Sequence, residues 1–252
     1  MTEATTARAV REPALLAQTV VVIGGSSGIG LETARQARAE RAELILTGRD
    51  RDRLQRAADD VGALSTVAFD ATDFARLEQF FDDLPEAIDH VMVTGSGPYY
   101  APLAEIDLAQ VRRDMEQHLF VPIEVARHSV GRVRPGGTLL FMGGTGGRAT
   151  AVGLSTIATL TAGLPALVKN LALEVAPIRV NLLAAGFVDT PLSATLLGDE
   201  LEKRRAQLRS TLPIGRVVEP ADVAALAVHV MTNTALTGAT FDIDGGQQIV
   251  QG

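Results

Sequence analysis

The first residues here with chemical potential form a small-residue turn, Gly24-Gly25-Ser26-Ser27-Gly28-Ile29-Gly30, directly behind the β-branched run Val20-Val21-Val22-Ile23. Glycine at 24, 28 and 30 leaves the backbone bare, so a pyrophosphate can approach where side chains would block it. A helix-compatible segment over 31–40 follows and would point its free N–H groups at the anion. Ser26, Ser27 and Ile29 lie in the same turn and belong to the same candidate cradle. The spacing is G-x-x-x-G-x-G, not G-x-G-x-x-G. A glycine-rich turn alone is weak, because any tight strand-to-helix turn can have one. The strand before, the helix after and the position near the N-terminus together point to nucleotide binding.

The end of the next strand pattern, Leu44-Ile45-Leu46-Thr47-Gly48-Arg49-Asp50, bears on which nucleotide. An acid at the strand tip would bind a ribose 2′-hydroxyl and repel a 2′-phosphate. Here the tip is Gly48, and the Arg49 guanidinium after it can pair with a phosphate. The other reading of Arg49 is a solvated residue opening the next helix. NADP(H) is favoured over NAD(H), with Asp50 as the residue that argues against it.

The elements that must hold these residues alternate along the chain. Strand patterns cover 19–24, 43–48, 65–70, 90–95, 137–143, 179–184 and 239–242, and helical patterns cover 31–40, 51–61, 74–84, 108–130, 154–175 and 221–231. Such alternation requires crossovers, and crossovers give a parallel sheet wound on both faces. The 252 residues suit one α/β domain over 15–252, preceded by a loose arm over 1–14. An insertion over 189–216, rich in Leu and charge, predicts one or two short helices where a lid would sit. The net charge of -7 without a basic run argues against nucleic acid as a partner. The absence of cysteine removes disulfide and thiolate chemistry, and the four scattered histidines predict no metal site. No apolar h-region opens the chain and no apolar run reads as membrane-spanning, so a cytoplasmic protein is expected.

Over 19–246 the chain resembles the short-chain dehydrogenase/reductase family in its one-domain form, a doubly wound parallel seven-stranded sheet (Rossmann fold) with helices on both faces. The turn 24–30 resembles that family's glycine motif. Phe69-Asp70-Ala71-Thr72-Asp73 resembles the segment whose acid touches the adenine, and Thr94-Gly95-Ser96-Gly97 stands where Asn-Asn-Ala-Gly is usual. Arg179-Val180-Asn181 and then Ala185-Gly186-Phe187-Val188-Asp189-Thr190 resemble the stretch that embraces the nicotinamide, with Ala185 in place of the usual proline. Thr237-Gly238 and Asp242-Ile243-Asp244-Gly245-Gly246 resemble the C-terminal signature. The resemblance implies a small-molecule substrate, and a homodimer or homotetramer built on the two long helices.

The same alignment breaks at the chemistry. Family members use a Tyr, a Lys four residues later, a Ser and an Asn. The ungapped register puts Ile157, Thr161, Gly144 and His118 at those positions, and the only tyrosines are Tyr99 and Tyr100 on another loop. Thr161 remains a candidate for the nicotinamide ribose. His118 could donate a proton or be a neutral histidine bridging two backbone groups. Thr145 could hold a substrate oxygen or cap the glycine turn. Tyr99 could offer a phenol from another direction or pack against the lid. Arg148 could bind an anion or face solvent, and Ser155 could cap its helix or be a pocket group. The expected function is an NADP(H)-dependent oxidoreductase with an atypical site, reducing a small carbonyl, imine or activated alkene. The rivals are a non-catalytic nucleotide-binding protein, acting as sensor or partner subunit, and a non-redox lyase or isomerase.

Overall fold

The computed structural model describes residues 12–250 apart from Glu86, Ser96 and Ala149. Seven parallel strands form one sheet: β1 Thr19–Ile23, β2 Glu43–Gly48, β3 Ser65–Ala68, β4 Ile88–Val93, β5 Val133–Gly144, β6 Arg179–Ala185 and β7 Thr240–Ile243, in the order 3-2-1-4-5-6-7. The helices are α1 Gly28–Ala39, α2 Arg51–Val61, α3 Phe74–Asp82, α4 Leu108–Met115, α5 Val121–Ser129, α6 Ser155–Glu174, α7 Pro191–Leu197, α8 Leu201–Thr211, α9 Pro220–Thr232 and α10 Gln247–Val250.

Side chains alternate across each strand, so one sheet has two cores. Val21, Ile23, Val91, Val93, Leu139 and Phe141 face α3, α5 and α6. Val20, Val22, Leu44, Leu46, Met92 and Leu140 face α1, α2 and α9. The strands read as continuous apolar runs because both faces are covered. The strand order reverses between β1 and β4, so a crevice opens there at the carboxyl ends of the strands.

Several expected boundaries move. Helix α1 begins at Gly28, inside the glycine turn, rather than at 31. The pattern over 108–130 is one path of helix interrupted by a π-turn, Glu116–Phe120, and it ends at Ser129. Strand β5 starts at Val133 because Val133 pairs with Ile88 across an irregularity in the ladder. The insertion over 189–216 holds α7 and α8, joined by a short 3-10 turn at Gly198–Glu200. The 3-10 turn Thr145–Arg148 and the terminal α10 were not anticipated.

The expectation that no apolar run could span a membrane also needs correction. Ser155–Glu174 has 20 residues and a mean hydropathy of 1.3 over its best window. Only 22% of that window is buried: Ile157, Leu164, Val168 and Leu171 are covered, and the last three join the sheet core, which accounts for one face of the helix. Of the expected arm, residues 1–11 lie outside the described residues; Ala14 is tied down, its N–H donating to the Glu40 carboxylate at 2.7 Å.

Arg179 shows how the sheet and α9 are joined. It is buried, and its guanidinium donates to the carbonyls of Gly136, Val230, Met231, Asn233 and Leu236 at 2.7–3.1 Å. These include the last turn of α9, whose unpaired carbonyls carry the negative end of the helix dipole.

Candidate functional site

The glycine turn is fixed by sterics. Gly24 has φ +87°, and a Cβ there would also collide with Thr94. A Cβ on Gly30 would run into the Gly24 carbonyl and lie 2.9 Å from the Thr94 hydroxyl. Thr94 in turn donates to the carbonyls of Ile23 and Gly24 at 3.2 and 3.1 Å, tying the tip of β4 to the turn. Gly28, at φ +53°, faces open space up to Thr190, 3.7 Å from where its Cβ would be. Ser27 occupies the cap position of α1 without a side-chain cap bond, and no acid lies in the first helical turn. Bare backbone, an uncapped helix start and no competing carboxylate suit a pyrophosphate.

At the tip of β2, Gly48 lies close to Ser26, whose hydroxyl would sit 3.0 Å from a Cβ. The two charged residues that follow separate clearly. Asp50 caps α2, accepting from the Arg53 N–H at 2.9 Å, and that bond is the main cause holding its carboxyl below the usual range. Arg49 extends into solvent, 3.9 Å from Asp70. Asp70 closes a turn by accepting from the Thr72 N–H and hydroxyl at 3.0 and 2.8 Å, and Ala71 packs against the core beside it. A largely exposed guanidinium held only by a 3.9 Å pair with Asp70, with Asp50 spent on a cap, fits a 2′-phosphate.

His118 lies beside the tip of β4: a Cβ on Gly95 would be 3.2 Å from its ring. The π-turn places it there, since one wider turn shifts the side chains that follow relative to an α-helix. The ring donates to the Gly97 carbonyl, while Nε2 is buried without a partner. So the imidazole uses one nitrogen on the backbone and keeps the other. Burial pushes its pKa below the usual value, against Asp114 and the Gly97 carbonyl, which raise it.

The other candidates lie on β5, α6 and the loops that follow β4 and β5. Thr145 is buried at the end of β5. Thr161 bonds back to the Ile157 carbonyl at 2.9 Å, with its methyl 3.6 Å from the Cβ position of Gly144. A cavity of about 180 Å³ lies between this part of α6 and β6, lined by Gly144, Thr161, Ala162, Pro165 and Leu182. Tyr99 points its hydroxyl at the start of α4, accepting from the Asp107 N–H at 3.0 Å and donating to the Glu105 carbonyl at 3.4 Å. Arg148 lines the same cavity and is half-exposed, and its guanidinium forms a two-point pair with Asp242 and also reaches Gln248. Ser155 follows the cap residue Leu154 and makes no cap bond.

At the exit of β6, a Cβ on Gly186 would lie 2.6 Å from Asp244, and the Phe187 N–H donates to Gln247 at 2.9 Å. Val188 is buried and bridges to Val218. The insertion over 189–216 is held here: Arg205 of α8 grips Asp189 at 2.8 and 2.7 Å, and Leu192 and Leu196 of α7 lie 3.2 Å from a Cβ on Gly97. A cleft of about 370 Å³ between this insertion and the start of α9 is lined by Asp189, Thr190, Arg205 and Glu219.

A family model described as enoyl-(acyl carrier protein) reductase matches residues 23–248. The short-chain dehydrogenase/reductase ATR9 of Stachybotrys chlorohalonatus is 28% identical, over 93% of this chain and 98% of its own. This chain belongs to the short-chain dehydrogenase/reductase family. Another relative is an NADP-dependent (R)-specific alcohol dehydrogenase of Lentilactobacillus kefiri, 29% identical over 92% of this chain and 97% of its own. Among solved short-chain dehydrogenase/reductase structures, the MalC reductase/Diels-Alderase of Malbranchea aurantiaca superposes with a TM-score of 0.87 at 25% identity, covering 94% of this chain and 99% of that one.

Within this short-chain dehydrogenase/reductase fold, sequence reasoning missed two groups. Asp114 is 5% exposed and accepts from the Tyr99 N–H at 2.9 Å. An acid in the charged stretch Arg112-Arg113-Asp114 reads as surface, so no local signal marked it. The Arg205–Asp189 and Arg148–Asp242 pairs join residues 16 and 94 positions apart, which no spacing rule reaches.

Proposed function

We propose that this protein is an NADP(H)-dependent oxidoreductase that reduces a small carbonyl, imine or activated alkene without the tyrosine–lysine couple of its family. The observation that carries the reading is the buried, unpartnered Nε2 of His118 beside the tip of β4, where the strand order reverses. A bound nicotinamide would supply hydride at that edge. The turn 24–30 would hold its pyrophosphate, Arg49 the 2′-phosphate, Asp70 and Ala71 the adenine edge, and Thr161, Gly186 and Val188 the nicotinamide half. His118, whose ring fills the space over Gly95, would hold the proton. Thr145 would face the substrate oxygen. Tyr99, whose hydroxyl is occupied, would position the loop after β4. The NADP-dependent relative supports the cofactor choice. An imine or activated substrate needs less acid catalysis, which is worth about 10²–10⁴-fold when present.

The test is purified protein with NADPH or NADH and a panel of carbonyls, imines and activated alkenes, followed by absorbance. NADPH-dependent turnover that falls at least tenfold in His118→Ala supports the reading. Tight NADPH binding with a flat trace for every class favours the second reading, a nucleotide-binding sensor or partner subunit, which the absent Tyr and Lys motivate. We further propose a homodimer or homotetramer, because Phe120 and Ile123 on one long helical path and Leu173 on α6 leave apolar surface exposed.

A further inference from the structure

We infer that Asp114 is a positioning residue that orients His118 and sets its protonation, so that a carboxylate and an imidazole together stand in for the missing phenol and ammonium. This rests on the proposed role of His118 in handling the proton. Four observations carry it. Asp114 and His118 lie four residues apart on one helical path, and both grip the same loop. Asp114 takes the Tyr99 N–H at 2.9 Å, and His118 gives its ring N–H to the Gly97 carbonyl. Asp114 is 5% exposed, yet among the described residues no cation pairs with it. A buried carboxylate left without a cation is costly, which marks the position as kept for something other than stability.

Among the charged groups on the elements around the ring, Asp114 is the buried one. The loop after β4 contributes Tyr99 and Tyr100 and the exposed acids Glu105 and Asp107, the last of which caps α4. The first three turns of α6, 155–166, carry none, and the helix Pro191–Leu197 carries none. On the π-turn itself, Glu116 is the only other ionisable side chain. Desolvation works against a protonated imidazole here, and the Asp114 charge opposes that loss.

The chemistry that follows is a single proton movement. The protonated ring carries hydrogens on both nitrogens, one held by the Gly97 carbonyl and one, at Nε2, free. The Nε2–H bond breaks and a bond to the substrate oxygen or nitrogen forms, as that atom takes the electron pair released when the adjacent carbon gains hydride. The ring is left neutral with its lone pair at Nε2, and water returns the proton. Reduction therefore quickens as pH falls through the His118 midpoint, and a neutral residue at 114 moves that midpoint lower.

The experiment compares full-length wild type with Asp114→Asn, whose amide oxygen still accepts the Tyr99 N–H. The His118 ring signal is followed by NMR against pH, identified by its loss in His118→Gln. The expected result is a lower midpoint in Asp114→Asn, a matching shift of the reductive pH limb, and about tenfold slower turnover at pH 7. Asp114→Glu, which keeps the charge, should hold both close to wild type and serves as the second variant should the asparagine protein fold poorly. An unchanged His118 midpoint in Asp114→Asn overturns the inference and leaves Asp114 as a loop anchor, with the oxidoreductase reading intact. A lowered midpoint in a protein that turns over nothing upholds the pair and sinks the oxidoreductase reading instead.

Discussion

Glycine at 30 illustrates how tightly single residues set this site. A methyl there meets the Gly24 carbonyl and the Thr94 hydroxyl, the pair that ties β4 to the phosphate turn. Gly30→Ala should therefore lose roughly 1–3 kcal/mol of stability and most NADPH affinity. Thermal unfolding and calorimetry check the two effects separately. Gly186 is constrained differently: its space is taken by Asp244 and Gln247, so its identity answers to the chain end as well as to any nicotinamide. Glycines were legible because steric need leaves a composition signature. Asp114 and the tether of Arg148 were not, because burial and pairing of charges are tertiary facts.

Among elements, the path over Leu108–Ser129 is the most informative departure from sequence reading. Apolar spacing predicts a helix but cannot register one wider turn inside it, since the residues on either side keep an ordinary helical pattern. That turn is what presents His118. Helix α9 makes a second case. Its C-terminal carbonyls converge on the buried Arg179, whose pKa burial lowers, and among the described residues no carboxylate pairs with it. Arg179→Met would leave several buried carbonyls without a donor. A loss of about 3–5 kcal/mol is expected, by analogy with breaking a buried ionic contact, and denaturant unfolding reads it. Strands were read well because parallel strands buried on both faces are nearly unbroken runs of Val, Ile and Leu.

For the whole molecule, the parallel, doubly wound sheet followed from alternation of strand and helix, while its strand order and the contacts of the insertion over 189–216 did not. Global stability also carries a pH signature. His90 is buried in β4, its Nε2 paired with Gln18 at 2.7 Å and its Nδ1 unpartnered. Burial, and then the nearby Arg179 charge, push its pKa down to about 3 from 6.5. Between those values the unfolded chain binds a proton that the folded one refuses. The contribution is thus complete above pH 6.5 and is lost as pH falls toward 3, with a slope of about 1.4 kcal/mol per pH unit. His118 pulls in the same direction. Urea unfolding at pH 7 and pH 4.5 should show this loss, and His90→Gln should flatten it.

The clasp of Arg148 on Asp242 and Gln248, with Gln247 holding the Phe187 amide, makes the last described residues a buttress for two of the loops around the reaction edge. A reporter or affinity handle fused at the carboxyl end would strain that buttress, whereas one at the amino end would leave it alone. Matched fusions differing only in which end carries the handle should then diverge in activity, with the carboxyl version the poorer.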